Sequence, residues 1–222
     1  FVRDLTDELH NELGFEVKKD EELEIKEVRD TINKLRAKNL DDDSFIKKFS
    51  DIFKENKMES ISEGTFFSSI LFISALDETN KIEIFLEKFE NAESPQMQGR
   101  YRAVLGQVRD QNASKKIVEF MLDGRIRGAD CPYILASMIT NKYIGKKSWK
   151  VIKENFNDLL SVMPDWTASR ILDALPAIYD EEFADDIKNF IKKNPLPSSE
   201  KLAAQKLERL EANIEFMDNL KE

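Results

Sequence analysis

The stretch Asp130–Leu160, DCPYILASMITNKYIGKKSWKVIKENFNDLL, contains two apolar patterns of helical spacing separated by a short polar corner. Asp130 and Pro132 are typical of a helix start, because aspartate accepts a hydrogen bond from the first turn and proline suits the first helical positions. The spacing predicts one helix that ends around Asn141 and, after a corner at residues 143–145, a second long helix. A corner this short forces the two helices to lie antiparallel and to share their apolar faces. The stretch therefore predicts a helical hairpin.

The same plan of a polar cap, an apolar stripe and a short corner recurs along the rest of the chain and predicts about a dozen helices in all. Asp165, Ser94 with Pro95, and Ser198 or Ser199 are predicted to cap three of them. Besides the hairpin, the predicted helices cover residues 1–13, 25–39, 45–53, 65–76, 80–89, 95–108, 112–122, 165–175, 181–193 and 199–220.

Local features refine these boundaries. A capping cluster at residues 41–44 precedes the helix at 45–53, Pro176 breaks or kinks the helix before it, and residues 194–197 form a rigid extended linker. The apolar run 65–76 predicts a buried helix, with a strand as the competing interpretation for residues 70–73.

The composition favours an all-α fold. The 7 glycines and 6 prolines, against 35% charged residues, are typical of long regular helices and not of a turn-rich β fold. Each hairpin is too small to bury a core of its own, so we expect antiparallel helix pairs stacked into a curved α-solenoid of the HEAT or armadillo kind. We expect one domain over residues 1–222, with a compact α-bundle as the alternative architecture. Because the chain starts with Phe1 and not with methionine, we expect a fragment or a processed product.

Charge and cysteine content limit the partners and the compartment. The net charge of −9 argues against nucleic acid or an anionic membrane surface as the main partner, since both attract clustered cations. The single cysteine, Cys131, rules out an internal disulfide and fits a reducing compartment, so we expect a cytoplasmic protein. No signal peptide and no apolar run of about 18 residues is recognisable, which predicts a soluble chain.

The residues predict no catalytic or metal site within the chain. Zinc peptidases of the HExxH type need two histidines four residues apart with a glutamate between them, and the single histidine, His10, stands in HNELG. His10 is therefore predicted to be an ordinary helix-surface residue. Cys131 has no histidine to activate it and is predicted to be a small residue near a helix start. The acidic pairs at residues 181–182 and 185–186 are predicted to be solvated.

Within the hairpin, Asn141, Gly145 and Trp149 are followed by the pattern FNDLL at residues 156–160. This order resembles the C-terminal helical domain of the M1 zinc aminopeptidases, a family that includes aminopeptidase N, the antigen-trimming aminopeptidases of the endoplasmic reticulum and the archaeal tricorn-interacting aminopeptidases. The family usually has Asn-Trp where this chain has Asn155-Phe156. The departure is conservative, because an aromatic ring still fills the apolar stripe.

The last predicted helix extends the resemblance, with Phe216 in the place of a family tryptophan. The residues that match the family's order there are Gln205, Glu208, Leu210, Asn213, Ile214, Phe216 and Met217. Two distant segments in the right order make the chain similar to the family over nearly its whole length. Only the placement of helices matches before Phe45.

The resemblance implies the C-terminal domain of an enzyme that removes N-terminal residues from peptides, without the first helices of that domain. Zinc and the catalytic residues would belong to the parent's catalytic domain, so we expect this chain to hold no cofactor and to catalyse nothing alone. The implied partners are that catalytic domain, peptide substrates and a larger proteolytic complex. In the parent, the domain is expected to cover the active site and shape a substrate chamber.

The resemblance also suggests a substrate anchor. Residues 109–112, Arg-Asp-Gln-Asn, lie where the antigen-trimming relatives carry an Arg-x-Gln-Asn segment, whose arginine is associated with holding the carboxylate end of a peptide. A guanidinium suits this task because its planar fork donates two hydrogen bonds to one carboxylate. Lys142 in the corner is a second candidate. The alternative is that Arg109, in the last turn of its helix, complements the helix dipole or pairs with Asp110 or Asp123.

A function of another class fits the same helical pattern. A free-standing α-solenoid that binds a partner protein along its concave face would carry similar phenylalanine-rich stripes, because such stripes report core packing alone. A processed scaffold subunit is a further alternative. The reading frame upstream of Phe1 separates these hypotheses: an HExxH segment with a downstream glutamate supports the enzyme, and a start codon directly before Phe1 excludes it.

Overall fold

The computed structural model describes residues 1–18, 20–40, 42–55, 64–196 and 199–220. These residues form thirteen α-helices and one 3₁₀ helix, which confirms the all-α prediction. The predictions made for residues 41, 197 and 198 lie outside the described residues. The helices are, in chain order, α1 Val2–Leu13, α2 Leu23–Asn39, α3 Asp43–Lys54, α4 Gly64–Ala75, α5 Ile82–Glu90, α6 Pro95–Leu105, α7 Ala113–Leu122, α8 Cys131–Ile139, α9 Gly145–Glu154, α10 Phe156–Val162, α11 Asp165–Ala168, the 3₁₀ helix Ser169–Ala177, α12 Glu181–Lys193 and α13 Glu200–Asn219.

The chain separates into two compact units, Phe1–Asp110 (unit 1) and Gln111–Glu222 (unit 2). In unit 1 the helices pack as sequential pairs, α1 with α2, α3 with α4 and α5 with α6. The second helices of these pairs are also neighbours, since α4 contacts both α2 and α6. An amphipathic helix must bury its apolar face against another element, and this pairing supplies that element for every helix of unit 1.

Aromatic side chains fill the core of unit 1. Phe49 is fully buried, and its ring centroid lies 5.2 Å from that of Phe45 and 5.7 Å from that of Phe15. Phe53 stacks on Phe85 with centroids 5.1 Å apart and ring planes within 9°. Burying one such ring stabilises the fold by about 1.5–3 kcal/mol. These contacts hold α3 against α5 and against the segment that follows α1.

A buried ion pair fixes the connection between α1 and α2. Arg29 is 1% exposed, and its guanidinium pairs with Glu21 and donates to the Leu13 carbonyl oxygen. The hydrogen bond from Arg29 lowers the pKa of Glu21. Asn33 donates to the Phe15 carbonyl oxygen at 3.0 Å. Polar side chains of α2 therefore satisfy backbone carbonyls that the end of α1 leaves without helical partners.

In unit 2, α7 packs on α9 and α10, α8 packs on α9 and on the 3₁₀ helix, and α13 packs on the 3₁₀ helix and on α12. The predicted hairpin is thus confirmed as the pair of α8 and α9. Trp149 is 1% exposed, its indole lies 5.2 Å from the Phe190 ring, and its N–H donates to Asp186 at 3.1 Å. The Phe156 ring lies 5.0 Å from the same Phe190 ring. A buried indole that keeps a hydrogen-bond acceptor is the favourable arrangement for tryptophan.

The prediction of one long second helix in the hairpin is wrong, because α9 ends at Glu154 and α10 begins at Phe156. Asn155 between them has φ −116° and ψ 18°, and its side-chain amide donates to the Val151 carbonyl oxygen at 2.8 Å. Asparagine competes with the backbone for carbonyl oxygens in this way, which favours a helix boundary.

The helix predicted over residues 165–175 also differs. Only Asp165–Ala168 is α-helical, and Ser169–Ala177 is a 3₁₀ helix that contains Pro176. Proline disfavours α conformation at the residue before it and lacks the N–H that would continue the α-helical hydrogen bonds. Pro176 therefore changes the type of helix along the segment and does not simply end it.

The capping predictions are confirmed at two helix starts. Asp42 accepts a hydrogen bond from the Phe45 backbone N–H at 3.0 Å, and Ser94 accepts one from Met97 at 3.2 Å. Asp130 and Ser199 occupy the predicted N-cap positions but make no side-chain cap hydrogen bond. The N-cap of α11 is Pro164 and not the predicted Asp165, which is the first residue of the helix.

Two predicted apolar stripes are covered only in part. Leu5 and Leu9 of α1 are 61% and 42% exposed, and Leu220 after α13 is 64% exposed, whereas Leu210 of α13 is fully buried. Helical spacing identifies the apolar face of a helix, but it does not show whether another element covers that face.

The apolar run predicted as a buried helix is α4. Its Ile70, Leu71 and Ile73 are fully buried and helical, which excludes the strand interpretation for residues 70–73. None of the helices described is both long enough and apolar enough to cross a membrane.

Candidate functional site

Arg109 lies in the connection after α6, which ends at Leu105. The prediction that Arg109 occupies the last turn of its helix is therefore wrong, since Gly106 is the C-cap of α6. The Arg109 backbone N–H donates to the Ala75 carbonyl oxygen at 2.9 Å. Its side chain is 25% exposed, and Nη1 lies 3.6 Å from a carboxylate oxygen of Asp43, which is 85% exposed. A pair this long between partly exposed groups contributes little to stability.

The neighbouring aspartate anchors this connection to another helix. Asp110 is 4% exposed, and its carboxylate accepts a hydrogen bond from the Ile82 backbone N–H at 3.2 Å, at the start of α5. A carboxylate at a helix N-terminus also interacts favourably with the helix dipole. With the Arg109 N–H bound to Ala75, the backbone of residues 109–110 is held at two points, so the Arg109 side chain extends from a fixed base.

Lys142 lies in the corner of unit 2 between α8 and α9. Its side chain is exposed, and its ammonium lies 4.9 Å from the centroid of the Tyr143 ring. The Asn141 side-chain oxygen accepts a hydrogen bond from the Tyr143 N–H at 3.0 Å. Gln111, from the same segment as Arg109, places its amide 3.5 Å from the Tyr143 carbonyl oxygen. Within unit 2 the structure thus brings Gln111 and the corner together.

Gly145 completes this corner through close backbone approach. A Cβ at this position would lie 2.4 Å from the Ile139 carbonyl oxygen, a distance that no side chain tolerates without a shift of the backbone. The Gly145 N–H donates to the Asn141 carbonyl oxygen at 2.7 Å. The hairpin residues that carry the family resemblance therefore serve the corner and, with Trp149 and Phe156, the core of unit 2.

The residues that the structure describes do not fit a zinc site. Among the side chains that the structure describes, no three His, Cys, Asp or Glu residues form a group able to hold a metal. The His10 ring packs edge-on against Phe45 at 5.5 Å, and its buried Nδ1 has no hydrogen-bond partner. Burial, with a smaller effect of the Arg36 charge, lowers the pKa of His10. His10 is therefore a half-buried residue of α1 that packs against Phe45.

Cys131 is the fully buried first residue of α8, which confirms its prediction as a small residue at a helix start. Burial, with a smaller effect of the Asp130 charge, raises the pKa of Cys131 to about 12. Only a thiolate is a competent nucleophile, so this environment opposes a nucleophilic role. The acidic pairs at residues 181–182 and 185–186 are exposed on α12, as predicted.

The model of one protein family, the ERAP1-like C-terminal domain, matches residues 1–212. The chain belongs to this family. The match covers nearly the whole chain and confirms the resemblance to the C-terminal domain of M1 aminopeptidases. An ERAP1-like C-terminal domain implies an attached catalytic domain, and the M1 family implies that zinc belongs to the parent enzyme.

The observed contacts of two residues of this ERAP1-like domain, Gln111 and Asp110, were not predicted from the sequence. The contact of Gln111 with the corner could have been predicted, because Gln111 lies in the same short segment as Arg109. The segment leads into α7, and α7 packs on α9, which begins at the corner. Asp110 has no local signal, because the helix that it caps begins at Ile82, far earlier in the chain.

Proposed function

We propose that this ERAP1-like domain covers the active site of its parent zinc aminopeptidase and shapes the chamber in which peptides lose N-terminal residues. The observation that carries the proposal is the family match over residues 1–212. The sequential helix pairs of unit 1 support the further proposal that the domain is a curved stack of helix pairs, because stacked pairs form extended concave surfaces. Chemistry at the scissile bond belongs to the catalytic domain.

Within this function, Arg109 is the proposed anchor for the C-terminal carboxylate of the peptide, and Lys142 is a secondary contact. The support is the position of Arg109 in the Arg-x-Gln-Asn segment and its fixed backbone. A guanidinium that donates two hydrogen bonds to one carboxylate gives orientation as well as attraction. An anchor of this kind acts on peptides and leaves short substrates without a distant carboxylate unaffected.

The test is the Arg109→Ala variant of the complete enzyme. Hydrogen bonds to charged groups are worth about 1.5–3 kcal/mol, so KM for peptides is expected to rise about 10- to 100-fold. KM and kcat for single-amino-acid chromogenic substrates are expected to stay at the wild-type values. Arg109→Lys keeps the charge without the planar fork and is expected to lie between Arg109→Ala and wild type. Lys142→Ala is expected to have a smaller effect.

The matched control is Arg170→Ala, which removes a half-exposed arginine that pairs with Asp173 3.8 Å away. This variant is expected to leave both classes of substrate unchanged. Equal losses on peptides and on single-residue substrates in Arg109→Ala would contradict the anchor, since they would indicate damage to the fold or to the catalytic site.

A further inference from the structure

Helix α1 buries little of its surface against the rest of unit 1. Of its 12 residues only Thr6 is buried, whereas Leu5 and Leu9 are 61% and 42% exposed. The Arg36 guanidinium of α2 donates to the Thr6 hydroxyl at 3.0 Å and to the Asp7 carboxylate at 2.5 Å. A helix with so little buried apolar surface is typical of the elements that open locally while the rest of a domain stays folded.

A glycine directly after α1 supplies a hinge. Gly14 has φ 71° and ψ −174°, a backbone conformation that is essentially restricted to glycine. A Cβ at this position would meet no atom within 4 Å, so the surroundings leave the backbone room to move. Because glycine changes its dihedral angles at low cost, α1 can move as a unit about Gly14.

His10 is a side chain of α1 that contacts α3. Its ring meets the Phe45 ring edge-on, with centroids 5.5 Å apart, and Phe45 is 7% exposed. The Nδ1 atom of His10 is buried and has no hydrogen-bond partner. A neutral imidazole tolerates this apolar contact. An imidazolium carries an N–H on both ring nitrogens and would bury a charged donor that has no acceptor, which is costly.

The charged groups that face His10 largely oppose a second positive charge. Arg36 of α2 and Lys48 of α3 act against protonation of the ring, and Asp7 of α1 favours it. The Asp7 carboxylate already pairs with Arg36 at 2.5 Å. Burial is the largest cause of the lowered pKa of His10, and the charge of Arg36 adds to it. Contacts and charges therefore both favour the neutral ring when α1 is docked.

We propose that α1 is an acid-sensitive flap: protonation of His10 releases α1 from α2 and α3, and α1 swings about Gly14. The neutral ring keeps α1 docked above about pH 6.5, where a histidine in an unfolded chain is mostly neutral. Because the released form binds protons more readily than the docked form, docking loses stability as the pH falls below about 6.5. This proposal does not rest on the proposed Arg109 anchor.

The first measurement uses the fact that His10 is the single histidine of the 222-residue chain. Proton NMR therefore gives one imidazole Cε1–H signal, whose titration reports His10 directly. The pKa of His10 is expected to lie below that of the histidine in an unstructured reference peptide in the same buffer. This measurement tests the docked state and does not depend on enzymatic activity.

The second measurement is hydrogen exchange of the α1 amides by mass spectrometry, with each rate divided by the intrinsic rate at the same pH. If the docked form excluded the charge completely, the equilibrium constant for α1 opening would rise about tenfold between about pH 7.5 and pH 5.5. We expect a rise of about three- to tenfold, because partial protonation of the docked form reduces this limit. The amides of α8 in unit 2 are expected to show no such rise.

Three variants identify the group that senses acid. His10→Phe keeps a ring against Phe45 but binds no proton, so α1 is expected to open to the same extent at both pH values. His10→Gln is a second neutral replacement, which makes the result independent of how phenylalanine packs. Glu8→Gln removes an exposed carboxylate from the same helix and is the matched control. It is expected to keep the pH dependence of the wild-type chain.

Several outcomes overturn the proposal. A His10 pKa equal to or above that of the reference peptide would show that docking does not oppose the charge. Opening of α1 that is the same at both pH values would show that acid does not release the helix. Wild-type pH dependence in both neutral His10 variants, or its loss in Glu8→Gln, would assign the response to another group.

Discussion

The two units distribute their aromatic and charged contacts differently. In unit 1 the aromatic contacts form separate groups: Phe15, Phe45 and Phe66 around Phe49, Phe53 with Phe85, and Phe67 with Tyr101. In unit 2 the rings of Trp149 and Phe156 both meet Phe190. Lysine–carboxylate pairs then join the later elements of unit 2, such as Lys188 with Glu211 and Lys206 with Asp173.

This difference shows where each unit is vulnerable. The separate aromatic groups give unit 1 several independent packing contacts. The losses of unfolding free energy caused by mutations at such separated positions are usually additive. A single cluster makes the core of unit 2 depend on a few neighbouring side chains, whose effects are coupled. Partly exposed ion pairs occur in both units, and salt screens their contribution, unlike that of the buried rings.

Replacing Trp149 by alanine is expected to have the largest effect. The change removes the indole from the cluster and leaves Asp186 without its N–H donor, so the free energy of unfolding is expected to fall by about 3–5 kcal/mol. Urea denaturation followed by far-UV circular dichroism measures this loss. Trp149→Phe keeps a ring against Phe190 and is expected to lose only about 0.5–1.5 kcal/mol through the missing hydrogen bond.

The matched control is Trp166→Ala, because Trp166 is 75% exposed. Exposed positions usually change stability by less than about 0.5 kcal/mol. If the two tryptophan-to-alanine variants unfolded at the same urea concentration, the cluster would not be the centre of unit 2.

Two glycines, one in each unit, give a second contrast. Gly145→Ala is expected to destabilise by about 1–3 kcal/mol, because its Cβ would lie 2.4 Å from the Ile139 carbonyl oxygen. Gly99→Ala, with nothing within 4 Å of its Cβ, is expected to stabilise α6 by about 0.5–1 kcal/mol. Thermal unfolding of both variants measures the two changes. A Gly145→Ala variant that unfolds at the wild-type temperature or above it would show that the corner does not require glycine.

The parts of this fold that follow from neighbours along the chain were predictable from sequence. The helix predicted over residues 181–193 is α12 with the same bounds, and the Ser94-Pro95 signal starts α6 where expected. Apolar spacing and a capping side chain act within a few residues, so their effect is visible in the sequence. The hairpin of α8 and α9 belongs to this class, because a short corner leaves its helices no other arrangement.

The features that were not predicted depend on contacts between residues distant in sequence, or on small differences in free energy between competing local hydrogen bonds. The Asp110 cap on α5 joins elements far apart in the chain, and exposure of Leu5 depends on which helix lies opposite it. The break at Asn155 reflects competition between one side-chain amide and the backbone, which helical spacing does not resolve. For the candidate site, Arg109 was identified from the family segment, but its position outside α6 required the structure.

The turn between α4 and α5 in unit 1 is expected to respond to acid. Burial alone would raise the pKa of Asp77, but hydrogen bonds from Ser50, Thr79 and Lys54 outweigh burial and lower it to about 2. Between about pH 4 and pH 2 the unfolded chain then binds more protons than the folded chain. The contribution of Asp77 to stability is therefore complete above about pH 4 and is lost as the pH falls to about 2.

Asp77→Asn tests this contribution. At neutral pH the variant is expected to lose about 0.5–1.5 kcal/mol, because the amide is a weaker acceptor than the carboxylate. Its difference from wild type is expected to shrink as the pH falls from about 4 to about 2. Glu78→Gln, an exposed neighbour in the same turn, controls for the loss of one negative charge. A difference that stays constant with pH would assign the stabilisation to shape and not to charge.

The smallest effect concerns the ion pair of Lys206 with Asp173, which joins α13 to the 3₁₀ helix at 2.8 Å. Both side chains are partly exposed, so a double-mutant cycle with Lys206→Met and Asp173→Asn is expected to give a coupling of about 0.2–1 kcal/mol. Screening shortens the reach of charge from about 10 Å at 0.1 M salt to about 3 Å at 1 M, so the coupling is expected to fall in high salt. Lys201→Met on the exposed face of α13 is the control. A coupling unchanged by salt would mean that the pair is held by packing of the lysine stem, and the contrast between the units would then rest on their aromatic contacts alone.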